Sequence, residues 1–495
     1  MPKRKPNVII IGAGIAGIAS ALRLRKQGFE VDIYEKNDYT GGKIHAFQDK
    51  QYRFDLGPSL FTLPHLVKEL IELHGKNPET YFNYSKQNET CRYFWEDAIK
   101  FTAPADPDDF VKSASSIFDE DEQNISHYLK STKDKYELTA DLFLKNSLHQ
   151  SRNFLNKKAL KAVVNIQKLD LIKSLHEHNK ASFKNPKLVQ LFDRYATYNG
   201  SSPYKTPGIM SMIPYLEMYD GTFLPEKGMH DISQSLTKLA KDVGIKIHLN
   251  QAVDEIIFDQ KTAKAVRVNS EIHKANFIIS NMDIYQSYQT ILKKAKKPKL
   301  NLKQEGSSSA LIFYWGINKE FKDLGIHNIL FSEDYKKEFD HIFNQKAFYE
   351  DPTVYINITS KIIETDAPEN CENWFVMINA PADGKILSEE MIHKIRQQII
   401  SKINRVLKTD IEKYIEIEHC LTPKDIEKQT SSHQGSLYGM ASHGKFSSFL
   451  RHANFTSQIK NLYFCGGSVH PGGGIPLCLL SAQIVSDLIQ NNNDN

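Results

Sequence analysis

The most constraining feature of this chain is a glycine-rich turn between a short strand and a helix, close to its first residues. The parts follow in the order strand (Asn7–Ile11), G-x-G-x-x-G turn (12–17), helix (Ile15–Gln27) and second strand (Glu30–Tyr34). The first strand is short and β-branched, which is typical of a buried parallel strand. This order is that of a βαβ unit for dinucleotide binding, so the sequence predicts an α/β fold.

Each glycine of the turn is required for a steric or electrostatic reason. Gly12 permits the tight turn, Gly14 lets a pyrophosphate approach the backbone, and Gly17 lets the helix pack on the strand. The free N–H groups at Ile15 and Ala16, together with the positive end of the helix dipole, attract phosphate. We therefore predict that these residues bind the phosphates of a dinucleotide.

Glu35 ends the second strand, at the position where a carboxylate accepts hydrogen bonds from a ribose. The negative charge of Glu35 would repel a ribose 2′-phosphate, which disfavours NADP. A G-x-G-x-x-G turn alone is a weak indication, because it also occurs in unrelated α/β domains. The dinucleotide interpretation is specific because the turn, the helix and the acidic residue at the end of the second strand occur together at the expected spacing.

A secretory signal is the competing interpretation of the first residues. Lys3, Arg4 and Lys5 precede an apolar run from Val8 to Leu24, as in a signal peptide. The βαβ unit is favoured, because it gives the glycines a purpose and the chain then returns to a strand. No other uncharged stretch reaches about 20 apolar residues, so a transmembrane helix is not expected.

Composition limits the class of protein without giving its function. The 495 residues exceed one ordinary domain, and the hydrophobic share of 40% and charged share of 25% are those of a globular chain. A net charge of +4 does not demand a nucleic acid partner. Five cysteines without C-x-x-C spacing predict free thiols in a reducing compartment and no structural metal site.

Two short motifs after the second strand favour FAD over NAD. They are G-G-K at residues 41–43 and D-L-G-P-S-L at residues 55–60. With the G-x-G-x-x-G turn and Glu35, they resemble the flavin-containing amine oxidase and phytoene desaturase superfamily. The resemblance implies that a lysine reaches the FAD pyrophosphate and ribitol and that the second loop passes beside the isoalloxazine. The residues so implicated are Gly42, Lys43, Gly57, Ser59 and Leu60.

The C-terminal motif is longer and more specific. Residues 462–476 read L-Y-F-C-G-G-S-V-H-P-G-G-G-I-P, and an apolar-periodic helix follows from Leu477 to Ile489. This segment resembles the closing motif of bacterial-type carotenoid desaturases. There the start of the helix would stabilise negative charge on a reduced flavin. The resemblance implies flavin contacts at Gly467, Gly474, Ile475 and Pro476.

Three stretches in the middle of the chain extend the resemblance from residue 7 to residue 489. They are Y-N-G-S-S-P-Y-K-T-P (198–207), F-L-P-E-K-G-M-H (223–230), where Lys227 replaces a glycine, and Q-G-S-L-Y-G (434–439). The resemblance adds three cofactor contacts: Val253 with its backbone against adenine, Asn281 after a buried strand, and Leu437.

The resemblance implies a Rossmann-like FAD-binding domain, a mixed-sheet substrate domain and a helical membrane-facing cap. The predicted boundaries are 1–75 with 226–285 and 440–495 for the FAD domain, 76–109 with 286–439 for the substrate domain, and 110–225 for the cap. The FAD domain is therefore expected to be discontinuous in the sequence.

A basic segment lies within the predicted cap. Arg152 to Lys187 contains nine Lys/Arg and two Asp/Glu, interleaved with apolar residues. Such a pattern is typical of an amphipathic helix on an anionic membrane surface, or of a solvated helix packed on the core. The implied apolar substrate favours membrane contact. We expect a cytoplasmic protein held peripherally on the inner face of the cytoplasmic membrane.

The resemblance implies an FAD-dependent carotenoid desaturase, with a hydrophobic carotenoid substrate and oxygen or a quinone as electron acceptor. Desaturation removes a hydride and a proton from neighbouring carbons, and the polyene spreads the resulting charge, so alignment can suffice. No catalytic residue is identified. His470 is the nearest titratable candidate, and a structural role in its loop is favoured for it.

The closing motif also indicates which carotenoid is oxidised. Phytoene-type members usually carry alanine and glycine where this chain has Gly473 and Leu477. The form found here resembles hydroxycarotenoid 3,4-desaturases, so we predict 3,4-desaturation of a 1-hydroxycarotenoid. The substrate hydroxyl would then need a polar partner in an apolar tunnel, because an unpaired buried hydroxyl costs about 1–3 kcal/mol.

Other functions remain open at this stage. Within the superfamily they are a phytoene-type multistep desaturase and a flavin-dependent polyene isomerase or oxidase. An amine oxidase would need an aromatic pair beside the flavin and usually a linking cysteine, whereas Cys465 and Cys478 lie in an expected strand and helix. A membrane adaptor without catalysis would be free of flavin.

Overall fold

The computed structural model describes residues 5–150, 165–298, 305–444 and 451–493. The strands in these ranges are β1 (Asn7–Ile11), β2 (Glu30–Tyr34), β3 (His45–Asp49), β4 (Tyr52–Leu56), β5 (Tyr84–Lys86), β6 (Glu89–Phe94), β7 (Lys100–Pro104), β8 (Phe223–Pro225), β9 (Lys246–His248), β10 (Val253–Asp259), β11 (Thr262–Val268), β12 (Glu271–Lys274), β13 (Phe277–Ser280), β14 (Ser309–Ile317), β15 (His327–Leu330), β16 (Val354–Ile358), β17 (Glu372–Ala380), β18 (Ile415–Leu421) and β19 (Leu462–Phe464). The α-helices are α1 (Ile15–Lys26), α2 (His65–Leu73), α3 (Pro107–Phe118), α4 (Glu122–Thr139), α5 (Leu175–Ser182), α6 (Pro186–Asp193), α7 (His230–Asp242), α8 (Ile284–Gln289), α9 (Tyr335–Asp340), α10 (Glu389–Leu407), α11 (Pro423–Thr430) and α12 (Ile475–Asn493).

The first sheet is parallel and has the strand order β19-β13-β1-β2-β9. Alternate side chains of β1 pack on its two faces, Val8 and Ile10 on one and Ile9 and Ile11 on the other. Burial of both faces explains why β1 is a continuous apolar run. The apolar run of the first residues thus forms β1 and α1, and the predicted α/β class is confirmed.

The second sheet is mixed and has the order β18-β14-β17-β16-β15-β6-β7. Its pairs are antiparallel except for β15 and β6, which run parallel. Trp315 of β14 lies opposite Trp374 of β17, and both are fully buried. Helix α10 covers this face through Ile395, Ile399 and Ile403. The mixed-sheet part of the predicted fold is confirmed, while the residue boundaries of the three domains stay a prediction.

Helices α3, α4 and α6 pack on strands β6, β7 and β15 through an aromatic-rich core. The sequence predicts one amphipathic helix across the basic segment. Residues 151–164 of it lie outside the described residues, and the rest is not one helix. Ile166–Leu169 is a single 3₁₀ turn, and α5 starts only after Ser174, which forms a capping box with Glu177. The prediction was wrong here because Asp170, in a left-handed conformation, ends the turn.

No helix within the described ranges is long and apolar enough to cross a membrane. The membrane-facing role of the cap therefore stays a prediction.

Asp55 joins β4, which pairs with β3 in a separate two-stranded sheet, to the start of α7. Its two carboxylate oxygens accept hydrogen bonds from the backbone N–H groups of Met229 and His230, each at 2.9 Å. Arg53 pairs with the same carboxylate at 2.6 Å and with Asp366 at 3.2 Å. An anion at a helix start is stabilised both by these hydrogen bonds and by the helix dipole.

We expect Asp55→Ala to lower the free energy of unfolding by about 3 kcal/mol, because it removes charge-assisted bonds and leaves Arg53 with one partner. Urea denaturation followed by fluorescence measures this change. The control is Asp49→Ala in the neighbouring strand, where a more exposed pair with His419 contributes about 1 kcal/mol or less. Equal loss of stability in both variants would contradict this role of Asp55.

Candidate active site

A cavity of about 530 Å³ lies between the first sheet, the mixed sheet and the cap. Most of the residues predicted to hold a cofactor line it. They are Gly14, Ile15, Ala16, Gly42, Lys43, Gly57, Ser59, Leu60, Asn281, Leu437, Gly467, Gly474, Ile475 and Pro476. Segments separated by more than 400 residues of sequence therefore meet in one site.

Four predicted cofactor residues lie outside this lining. Gly12 and Gly17 belong to the glycine-rich turn itself. Glu35 directly follows β2 and contacts the turn through the N–H of Ala13. Val253 lies at the start of β10, in the small sheet of β10, β11 and β12. Their contacts with a cofactor stay predictions.

The glycine-rich turn is held against the end of β13 by Asn281. The Asn281 Oδ1 accepts a hydrogen bond of 3.1 Å from the Gly17 N–H, and its Nδ2 donates to the Cys465 carbonyl at 3.1 Å. A Cβ on Gly17 would lie 2.3 Å from the Gly12 carbonyl oxygen, so only glycine fits there. Gly14 is the N-cap residue of α1 and offers no side chain to cap the helix, and among the described residues Asn281 accepts only from the N–H of Gly17. The N–H groups of Ile15 and Ala16 are thereby left for a ligand in the cavity.

Glu35 is buried and stabilises the same turn. Its Oε2 accepts a 2.7 Å hydrogen bond from the Ala13 N–H, and its Oε1 accepts one of 2.9 Å from the Asn37 N–H. Each carboxylate oxygen has two lone pairs, so both can accept a further hydrogen bond from a ribose hydroxyl. The sequence did not indicate that Glu35 also supports the backbone of the turn.

Lys43 and Asp283 bring opposite charges into the cavity wall. The Lys43 ammonium donates to the carbonyl oxygens of Leu437 at 2.6 Å and Ser436 at 3.3 Å. Burial lowers the pKa of Lys43, and the charge of Asp283 opposes that change. Burial likewise raises the pKa of Asp283, whose carboxylate caps α8. The contact of Lys43 with a bound cofactor stays a prediction.

The C-terminal motif turns into α12 at the cavity, with Gly474, Ile475 and Pro476 in its wall. Gly473 packs directly under Tyr438. A Cβ at Gly473 would lie 2.9 Å from Cδ1 of Tyr438 and 3.0 Å from Cα of the same residue. An alanine at this position would therefore force Tyr438 to move.

These features fit FAD. The N–H groups of Ile15 and Ala16 at the start of α1 and the lysine suit a pyrophosphate, Glu35 suits the ribose, and the start of α12 suits the negative end of a reduced flavin. When bound, FAD supplies a hydride acceptor.

His470 lines the cavity as a neutral ring. Its Nε2–H donates to the Asn146 carbonyl at 2.8 Å, and burial lowers its pKa to about 4. The His470 carbonyl oxygen accepts a 2.7 Å hydrogen bond from Asn454. These bonds give His470 the structural role in its loop that the sequence favours.

Cys465 and Cys478 both line the cavity, the first directly after β19 and the second in α12. Burial raises the pKa of Cys465 to about 12 and that of Cys478 to about 11. The thiols therefore stay protonated near neutral pH, where they are poor nucleophiles towards a flavin.

The half of the cavity under the cap is largely apolar. Its walls include Met210, Met212, Ile213, Leu216, Ile312, Ile329, Phe375 and Met377. Among the polar residues that interrupt this surface, five lie together: Arg194, Tyr198, Glu217, His327 and Tyr355.

The sequence analysis missed this polar group, apart from Tyr198 as part of a family stretch. Arg194 and Glu217 form a buried ion pair of 2.9 Å, with exposed fractions of 6% and 1% for the two side chains. Glu217 is the one charge in the stretch 213–219, which is a signal that could have found it, whereas Arg194 directly follows Asp193. Nothing in the sequence indicated that His327 of β15 would face them.

The comparisons with known proteins agree with this geometry. Residues 15–490 match the family described as flavin-containing amine oxidoreductase. The chain is 56% identical over 487 residues to a 1-hydroxycarotenoid 3,4-desaturase of a Flavobacterium species, covering 98% of this chain and 99% of that protein. It is 30% identical to a 4,4′-diapolycopene oxygenase of a Methylomonas species, covering 98% of each. Cyclohexylamine oxidase from Brevibacterium oxydans shares the fold, with a TM-score of 0.62 at 15% identity over 99% of this chain and all of that one.

We expect Glu35→Ala to weaken FAD binding by about 1.5–3 kcal/mol, because it removes charge-assisted hydrogen bonds to the ribose and to the turn. Titration of the flavin-free protein with FAD gives the dissociation constant. The matched control is Glu30→Ala, which removes an exposed carboxylate from the other end of the same strand. An unchanged dissociation constant in Glu35→Ala would place Glu35 outside the FAD site.

Proposed function

The chain belongs to the flavin-containing amine oxidoreductase family, and on this premise we propose that it is an FAD-dependent carotenoid desaturase that forms the 3,4 double bond of a 1-hydroxycarotenoid. The observation that carries the proposal is 56% identity over 98% of the chain to a protein named for that activity. Such identity over nearly the full length includes both the cofactor half and the substrate half of the cavity.

The site chemistry supports a desaturase. The apolar walls under the cap suit a polyene, and the cavity continues from there to the glycine-rich turn and the start of α12. Hydride removal from a carbon next to a polyene leaves a delocalised charge, so the protein has to align the chain and exclude water. The residues under the cap perform that alignment, and bound FAD would supply the hydride acceptor.

The packing of Tyr438 on Gly473 supports the choice of a hydroxycarotenoid over phytoene. The alanine usual in phytoene-type members would clash with Tyr438 here, and Leu477 lies in the cavity wall nearby. The shape of the cavity beside the C-terminal motif therefore depends on Gly473 and Leu477, the two residues at which this motif differs from that of phytoene-type members.

Oxidation at the end of a carotenoid is the second candidate, favoured by the 30% identity to a protein named 4,4′-diapolycopene oxygenase. It differs from desaturation in its product, because an oxygenase adds mass while a desaturase removes two hydrogens.

A direct competition between substrates tests the proposal. Purified protein with FAD receives phytoene and a 1-hydroxycarotenoid together, and pigments are separated by chromatography and weighed by mass spectrometry. We expect the hydroxylated substrate to lose two mass units and phytoene to remain unchanged. Conversion of phytoene alone, or a gain of oxygen, would contradict the 3,4-desaturase assignment.

Runs with and without oxygen, and with a quinone, identify the electron acceptor.

We also propose that the protein binds peripherally to the inner face of the cytoplasmic membrane through the cap. The described part of the basic segment exposes Lys173, Lys180 and Lys184, and Ile172 is 80% exposed. A basic surface with a protruding apolar side chain suits anionic lipid. An apolar substrate dissolved in the membrane could then reach the cavity under the cap.

Replacement of Lys173, Lys180 and Lys184 by glutamate should release the protein from anionic liposomes, because each lysine near such a surface contributes about 1 kcal/mol. Co-sedimentation at low and high salt measures binding. The control carries the same charge change at Lys261, Lys264 and Lys274, which are exposed around β11 and β12. Equal binding by the two triple variants would contradict membrane contact through this segment.

A further inference from the structure

We propose that His327 and the buried polar residues around it form the binding site for the substrate's hydroxyl group, and that this site selects hydroxylated carotenoids. The inference rests on the proposed function, since only a hydroxycarotenoid substrate requires such a site. The group of residues consists of Arg194, Tyr198, Glu217, His327 and Tyr355, called here the Arg194 cluster.

The Arg194 cluster is a rigid hydrogen-bonded wall. Arg194 donates to Tyr93 at 2.7 Å, to Tyr198 at 2.9 Å and to Glu217 at 2.9 Å. The Glu217 carboxylate also accepts hydrogen bonds from Tyr195 and Tyr198. A carboxylate can accept about four hydrogen bonds, so Glu217 keeps the capacity for one more donor, such as a hydroxyl.

His327 is held with its free N–H available. Its Nδ1 accepts from Asn357 Nδ2 at 3.2 Å and lies 2.7 Å from the Tyr355 hydroxyl. The same Asn357 Nδ2 donates to the Ile326 carbonyl, which fixes the orientation of the amide. In the neutral ring the proton is therefore on Nε2. Burial, with the charge of Arg194, lowers the pKa of His327 to about 3, so the ring is neutral near pH 7.

The Nε2–H of His327 has no partner among the described residues, although the residue is only 4% exposed and lines the cavity. Thr90 of the neighbouring strand β6 also lines the cavity, and its buried hydroxyl has no partner in the described part of the chain. Buried polar groups in proteins are nearly always hydrogen-bonded. The buried Thr90 hydroxyl and the unpartnered N–H of His327, which lies in the same cavity lining, together indicate a polar ligand.

The position of His327 matches the chemistry of a 1-hydroxycarotenoid. The Tyr355 hydroxyl lies 2.7 Å from Ser59 Oγ, so His327 is two hydrogen bonds from the loop predicted to lie beside the isoalloxazine. In the substrate, one carbon separates the hydroxyl-bearing C1 from C3. A group that binds the hydroxyl must therefore lie close to the reacting bond.

Other polar groups in the cavity are less suitable. The donors of Lys43 and Arg451 bind backbone carbonyl oxygens. His470 belongs to a motif that phytoene-type members share, so it does not distinguish substrates with a hydroxyl from those without one.

The test uses two substitutions at His327. One keeps the acceptor at the position of Nδ1, and the other keeps the donor at the position of Nε2. His327→Asn keeps a side-chain oxygen near the position of Nδ1 and loses the donor at Nε2. His327→Gln places an N–H donor near the position of Nε2. The control is His419→Asn in β18 of the same sheet, whose ring pairs with Asp49 at the surface. Each protein, loaded with FAD, is assayed with a 1-hydroxycarotenoid and with the same polyene lacking the hydroxyl.

We expect wild type and His419→Asn to prefer the hydroxylated polyene in kcat/KM and in binding, the latter followed by the shift of the polyene absorption band. His327→Asn should lose about 10-fold or more on the hydroxylated polyene and change little on the other, while His327→Gln recovers part of the preference. Equal losses on both polyenes in His327→Asn, or an unchanged preference, would overturn the inference. If wild type converts both polyenes equally well, only the inference fails. If it converts neither, the proposed function fails as well.

Discussion

The hydrogen bonds of Asn281 are the contacts on which the cofactor half of this molecule depends. Its backbone N–H donates to the Ile11 carbonyl at 2.8 Å, and its side chain connects the Gly17 N–H to the Cys465 carbonyl. One residue thus fixes the ends of three parallel strands, β1, β13 and β19, at the edge where ligands bind in such sheets. The free N-terminus of α1 is aimed into the cavity because this edge is fixed.

The substrate half is organised differently. Its walls are apolar, except for the Arg194 cluster, where a buried ion pair is surrounded by tyrosine hydroxyls. Burying charges is costly, and such groups are retained when geometry or specificity requires them. Here the ion pair spans two turns of the cap, the 3₁₀ turn Arg194–Asn199 and the π turn Leu216–Asp220. Arg194 also donates to the hydroxyl of Tyr93 in β6 at 2.7 Å, which fixes these two turns of the cap on the mixed sheet.

Local sequence patterns predicted most elements of the first sheet. The bounds of β1 and β2 agree with the prediction, because each is a short strand bounded by residues that end it. The same reasoning failed in the basic segment, where apolar spacing indicated one helix. The capping box of Ser174 and the left-handed Asp170 divide that segment, and such local conformations outweigh periodicity.

The sequence by itself determined the βαβ unit, since glycine spacing and helix starts act over a few residues. The flavin and most of the predicted cofactor residues followed from the resemblance of longer motifs to a known family. Only the tertiary structure decided that His327, Arg194 and Glu217 share one wall, and that Tyr438 lies on Gly473. These residues come from different strands, turns and loops, and their meeting depends on how the cap packs on the mixed sheet. No short-range pattern encodes such packing, because it is the sum of many contacts between distant segments.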